Sequence, residues 1–224
     1  MLTGKDNPEK VWNFLKSKGF NEYGAAGLMG NLHAESAINP INLQNTYERK
    51  FNMTDTEYTT AVDKGTYTNF VKDSAGYGLV QWTYWSRKQA LLNYAKQCKK
   101  SIGDLEMQLN FMIKELQQYG LLDKLKKATS VYNASTLVLL QYEKPADQSD
   151  TVKQRRAGYG QVYYDRFCKA LETGTEIVNE LKNGKYKVDI QDVPKAVKAV
   201  DNAKNNPNFH SLYWILYKLV NDNG

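Results

Sequence analysis

Residues 21–40 constrain this chain more than any other stretch. Asn21 is placed to cap a helix, and Ala25, Leu28, Met29 and Leu32 then recur at i, i+3, i+4 and i+7, one apolar face of a 3.6-residue helix. Gly24, Gly27 and Gly30 share that helix. They weaken it intrinsically and predict the close approach of a neighbouring backbone or of a bound substrate. Asn39-Pro40 ends it, because a residue before proline avoids the helical region. Glu35 follows Leu28 by seven residues and, at about 100° per residue, points within roughly 20° of it. The carboxylate is therefore expected on the apolar face and in the last helical turn. Burial and the negative helix end both disfavour ionisation, so a raised pKa is expected, and a carboxyl protonated near neutral pH can serve as a general acid. The plainer alternative is an ion pair with a nearby Lys or Arg.

The rest of the chain reads as helical, with one interruption. Asn7-Pro8 opens a helix to about residue 18, with Val11, Phe14 and Leu15 inward. Residues 41–85 lose the helical period and are dominated by Thr, Tyr, Asn and Asp; they predict a small β-containing or irregular lobe, with a strand over 66–71. Helical pattern returns over 86–99, 104–119, 121–128 and 135–143. A long helix follows the Asp150 cap, carrying Val152, Arg156, Tyr159, Tyr163, Phe167 and Ala170 on one stripe. Composition changes after Thr173, which divides the chain into a main domain, 1–173, and a small helical C-terminal region, 174–224. Two helices are expected in that region, over 193–205 and 208–220, serving wall binding, dimerisation or linkage to a further module.

Several chemistries are excluded early. Only two histidines and two cysteines are present, in no metal-ligand or redox spacing, so neither a metal nor a cofactor is expected. Gly76-Tyr77-Gly78 lacks the third glycine of a nucleotide-binding loop. Cys98 and Cys168 either pair or remain as buried thiols in a reducing cytosol. The polar N-terminus shows no signal peptide, and no apolar run is long enough to span a membrane, so synthesis in the cytoplasm is expected. Lys+Arg exceed Asp+Glu by 30 to 24, a net charge of +6 that suits any polyanion. The basic runs are short and read as solvated helix faces. A nucleic-acid-binding helical protein is thus a rival, and it predicts DNA affinity that falls steeply with salt; no nucleic-acid partner is expected. Carboxylate chemistry is what remains.

A second segment gives that chemistry a setting. Gly76-Tyr77-Gly78-Leu79-Val80-Gln81-Trp82 is rich in glycine and aromatics. A half-buried acid beside a groove of aromatics and amides is what cleavage of a glycosidic bond requires. The strings from His33-Ala34-Glu35-Ser36 to Asn39-Pro40, from Gly76 to Thr83, and Tyr142-Glu143-Lys144-Pro145 resemble the phage tail lysozyme family, over about residues 8–170. That family is similar to lysozyme-like lytic transglycosylases. Two departures stand out: Ala37 occupies a position that is often glycine, and the Ala-Tyr-Asn motif of transglycosylases is absent.

The resemblance implies a mainly α, lysozyme-like α+β fold in which a helical domain and a small lobe flank a substrate groove. It implies that Glu35 protonates the β-1,4 oxygen between N-acetylmuramic acid and N-acetylglucosamine. Gln81 and Ser36 would hold substrate amides or hydroxyls, Tyr77, Trp82, Tyr84 and Trp85 would stack on sugars, and Tyr142 would stand in for the missing tyrosine motif. Asp63, Asp73 and Glu143 are candidates for a second carboxylate that activates water; Glu143 also reads as a helix-end partner of Arg155 or Arg156. If none reaches, the sugar's own 6-hydroxyl attacks and leaves an anhydro product. Hydrolysis is favoured over transglycosylation, and a non-catalytic wall-binding or phage structural module is the alternative. The implied partner is bacterial peptidoglycan, with anionic wall polymers beside it, reached on lysis or from a phage particle.

Overall fold

The structure, a computed structural model, describes residues 2–169. The chain divides into two units, residues 1–164 and 165–224. Of the second, only Asp165–Lys169, a π-helical turn, is described, and the helices expected over 193–205 and 208–220 lie outside the described residues.

Local cap chemistry sets the first two helices. Asp6 accepts a hydrogen bond from the amide of Glu9 and starts α1 (Asn7–Ser17). Asn21 accepts from the amide of Gly24 and starts α2 (Glu22–Ser36). Helix α2 ends one step before the proline signal: Ala37 adopts the left-handed conformation at φ 51° and its amide returns to the His33 carbonyl. An alanine therefore takes a conformation that glycine favours, at a modest local cost.

Helix α2 is the axis of the unit. It packs mainly against α8 (Val131–Val138) and α9 (Asp150–Tyr164), and also touches α1 and α7 (Leu122–Lys126). Leu28, Met29 and Leu32 are fully buried, each contributing about 1.5–3 kcal/mol by removal from water. The expected role of the glycines is fulfilled by backbone. A Cβ on Gly24 would fall 1.9 Å from the Leu125 carbonyl oxygen, one on Gly27 2.6 Å from the Ser135 amide, and one on Gly30 2.3 Å from the Arg156 carbonyl oxygen. Three neighbouring segments thus approach α2 at a distance only glycine permits.

The lobe between residues 37 and 84 is mostly helical and irregular. Helices α3 (Asn45–Phe51) and α4 (Asp55–Asp63) occupy it, α4 being closed by a capping box between Thr54 and Glu57. The strand expected over 66–71 is not formed. The amides of Thr66 and Tyr67 both turn back to the Ala61 carbonyl, which wraps the chain around the end of α4. Among the described residues β-pairing is confined to two isolated bridges, Leu43 with Tyr77 and Tyr77 with Trp82. The fold is mainly α.

Two buried polar groups fasten this lobe to the helices. Asp73 pairs with the Lys88 ammonium on α5 (Trp85–Cys98), both side chains being 0% exposed, and also accepts from the hydroxyls of Tyr58 and Tyr67 and from the Ala75 amide. Gln108, on α6 (Leu105–Gln118), accepts from the Leu79 amide at 3.0 Å and donates to the Pro40 and Ile102 carbonyls at 2.6 Å. Cys98 is exposed, and no disulfide joins it to Cys168.

Candidate active site

The end of α2 carries Glu35, whose side chain keeps 19% of its exposure. Arg156 on α9 places a guanidinium nitrogen 2.6 Å from Glu35 Oε1 and is itself nearly buried. The arginine is oriented from behind: Asn31 Oδ1 accepts from its Nη1 at 3.2 Å, and the Asn31 amide nitrogen donates to the carbonyls of Gly27 and Ser135 and to the Ser135 hydroxyl. The backbone of α9 beside Arg156 reaches α2 because position 30 is glycine. Glu35 is therefore ion-paired, as the plainer reading of the sequence anticipates, and its carboxylate is held in one orientation at the rim of the unit.

Ser36 links this helix end to the glycine-rich segment. Its hydroxyl lies 3.0 Å from the Leu79 carbonyl and 3.2 Å from that of Leu32, both acceptors, and the residue is buried. Gly78, at φ 76°, lets its amide reach the Asn42 carbonyl and lets Gln108 pack against it. Gln81 donates its carboxamide nitrogen to Asn42 Oδ1 and to the carbonyls of Asn42 and Gly78. Its donor group is spent on fixing the loop.

The aromatics expected to meet sugar divide into two sets. Tyr77 and Trp82 are fully buried: the Tyr77 hydroxyl is bonded to Thr59, and the Trp82 indole donates to Glu115. Tyr142 is also buried, donating its hydroxyl to Glu115 at 2.6 Å. Tyr77, Trp82, Tyr142 and Ser36, all expected to meet substrate, are thus buried here with their polar groups bonded within the protein. They shape the site from within. Tyr84 and Trp85 remain 63% and 57% exposed, their ring centroids 6.0 Å apart, at the start of α5.

The three candidate second carboxylates also separate. Asp73 belongs to the buried Lys88 pair, and Asp63 accepts from the Ser101 hydroxyl and the Ile102 amide, where it closes a loop. Neither shares a partner with Glu35. Glu143 does. It ends a π-helical turn, Leu139–Glu143, that follows α8, and a left-handed Lys144 closes that turn before Pro145. The wider turn shifts Tyr142 and Glu143 out of helical register, which periodicity does not reveal. Glu143 is partly exposed as a residue, yet its Oε1 is sealed from solvent and has no hydrogen-bond partner among the described residues. Burial first, and the negative charge of Glu35 second, push its carboxyl well above the ordinary range, while Arg87 and Arg156 oppose them.

One consequence concerns stability. A carboxyl raised in the folded state keeps its proton while the unfolded chain loses one, so stability falls as pH rises from about 4.5 toward the folded pKa. Urea midpoints of the wild type should therefore decline through that window, and Glu143→Gln should flatten the decline. Parallel curves would show that Glu143 ionises freely.

Glu115 was not singled out by sequence reasoning, yet it organises this side of the site. It accepts from Trp82, Tyr142 and, in bidentate fashion at 2.8 and 2.9 Å, from Arg87. Arg87 lies 5.0 Å over the Tyr142 ring. A carboxylate interrupting the apolar stripe of α6 was the available signal.

The family model for phage tail lysozyme matches residues 6–167, which carry all of this geometry. The chain belongs to the phage tail lysozyme family. A relative, Morphogenesis protein 1 of Bacillus phage B103, is 25% identical over 162 residues, covering 68% of this chain and 38% of that protein. The chain thus corresponds to well under half of that relative's length. Among the described residues no helix is long and apolar enough to cross a membrane.

Proposed function

We propose that this chain is a peptidoglycan glycosidase in which Glu35 delivers a proton to the β-1,4 oxygen between N-acetylmuramic acid and N-acetylglucosamine. The observation that supports it most is the half-buried Glu35 carboxyl, held by Arg156 at the end of the central helix of a phage tail lysozyme domain. Protonating the leaving oxygen leaves an oxocarbenium-like sugar. Water captures it in a hydrolase, and the sugar's 6-hydroxyl in a lytic transglycosylase. Hydrolysis is the reading we adopt, with N-acetylmuramic acid at the new reducing end.

Tyr84 and Trp85 are the aromatic platform in this reading. Both stand out from the surface just beyond the loop that Ser36 ties to the Glu35 helix and Gln108 ties to α6. Ring faces on sugar C–H surfaces typically supply contact area without charge. Replacing both by alanine should weaken binding to purified peptidoglycan about tenfold without moving the melting temperature, as measured by sedimentation with the insoluble wall. Unchanged binding would remove the platform.

The name of the B103 relative favours a second reading, a domain that acts during phage morphogenesis. Solubilisation of purified Gram-positive wall separates the two. The glycosidase reading expects clearing by the folded chain, whereas a folded chain that leaves the wall intact points to a structural module.

A further inference from the structure

Three carboxyls and two guanidiniums meet around the end of α2. Glu35 comes from α2, Arg87 from α5, Glu115 from α6, Glu143 from the π turn after α8, and Arg156 from α9. Glu115 is neutralised by Arg87, and Glu35 by Arg156. Glu143 is left over. Tyr142, the adjacent titratable side chain, is committed to Glu115, and the Lys144 ammonium lies over the Tyr119 ring. Among the described residues no further cation in the cluster remains for a third negative charge.

The unsatisfied atoms mark the same place. Glu143 Oε1 and Arg156 Nε are both buried without a hydrogen-bond partner among the described residues. Yet Glu143 interacts electrostatically with both members of the Glu35–Arg156 pair. A neutral cluster thus requires one proton on the carboxyls. Either Glu143 carries it while Arg156 neutralises Glu35, or Glu35 carries it while Arg156 and Arg87 face an ionised Glu143. Total buried charge is the same in both arrangements, so moving the proton between them creates no new charge.

We propose that Glu35 and Glu143 share a single dissociable proton, and that Glu143 is a positioning residue that decides when Glu35 is able to act as the acid. This rests on the glycosidase reading for its catalytic meaning. In the resting arrangement the proton sits on Glu143. When Glu143 releases it to solvent, its charge favours uptake of a proton by Glu35, which then gives that proton to the glycosidic oxygen as the bond to the sugar carbon breaks. Both carboxyls are then ionised, and one proton from solvent restores the pair. Two interacting like charges do not both persist cheaply in a partly desolvated site, which is why the recovery is favourable. A neutral resting Glu143 is also a poor base for activating water, so the geometry moves it away from the role expected of a second carboxylate.

The test is the pH profile of wall solubilisation by the full chain. Loss of the last shared proton sets the alkaline limb, and repulsion between the two carboxylates holds that limb high. Glu143→Gln removes the repulsion, so the limb should move to lower pH by about one unit or more. A superimposable limb would overturn the proposal. A second measurement does not need activity: carbon-13 NMR of the glutamate carboxyls in the full chain. In Glu35→Gln the Glu143 titration should move down by about one unit or more, and an unmoved titration would likewise overturn the proposal. An inactive wild type whose Glu143 titration still responds to Glu35→Gln would reject the glycosidase reading and leave the shared proton standing.

Discussion

Glu35→Gln is expected to lower the rate of peptidoglycan solubilisation by roughly 10²- to 10⁴-fold, the usual contribution of a positioned general acid. The substitution preserves size and leaves an oxygen to accept from Arg156, which Asn31 continues to orient. What it removes is the dissociable proton. Stability is the control: Arg156 keeps Asn31 and still has the Glu143 carboxyl to interact with, so the melting temperature should change by only a few degrees. A loss of activity with the fold intact assigns the acid. Equal clearing by both proteins would return Glu35 to the role of a helix-end ion-pair residue.

Asp73→Ala is expected to cost about 3–5 kcal/mol, because it strands a buried ammonium. Lys88 is 0% exposed, and its remaining hydrogen-bond partners among the described residues are the Ala75 carbonyl at 2.8 Å and the Tyr58 hydroxyl at 3.4 Å. Burial already lowers the Lys88 pKa even with Asp73 in place. The same change removes the acceptor of the Tyr58 and Tyr67 hydroxyls, whose ionisation is pushed up by burial and by Asp73. The urea midpoint should fall accordingly. A paired substitution, Asp73→Leu with Lys88→Met, should recover most of the loss, since an apolar pair of similar volume is often neutral or stabilising. If the double variant is no better than the single one, the cost lies in the tyrosine hydroxyls and not in the stranded charge.

What was legible in the sequence was local. Asn21 caps α2 at the position its side chain suggests, because capping is settled within three residues. Gly24, Gly27 and Gly30 announced close backbone approach, and Glu35 announced a carboxyl at a helix end. What stayed illegible depends on helices far apart in the chain. Arg156 and Asn31 lie 125 residues apart and Trp82 and Glu115 lie 33 apart, and no spacing rule brings such pairs together. Burial sorted the aromatics against expectation: Tyr77 and Trp82 turn inward and Tyr84 and Trp85 outward within one short segment, which depends on what the lobe packs against. The π turn hid for a related reason, since a single turn at the end of a helix leaves no apolar residues beyond it to show the change of register. Thr66 to Val71 had strand-like composition, yet the amides of Thr66 and Tyr67 bond the Ala61 carbonyl at the end of α4.

The central claim is that Glu35 protonates a glycosidic oxygen of peptidoglycan. Mass spectrometry of the fragments released from purified wall tests it most directly, with Glu35→Gln run in parallel. The account predicts disaccharide-peptides from the wild type that end in N-acetylmuramic acid with the mass of added water, and almost none from the variant. Fragments cut only within the peptide stems, or identical glycan fragments from both proteins, would contradict it.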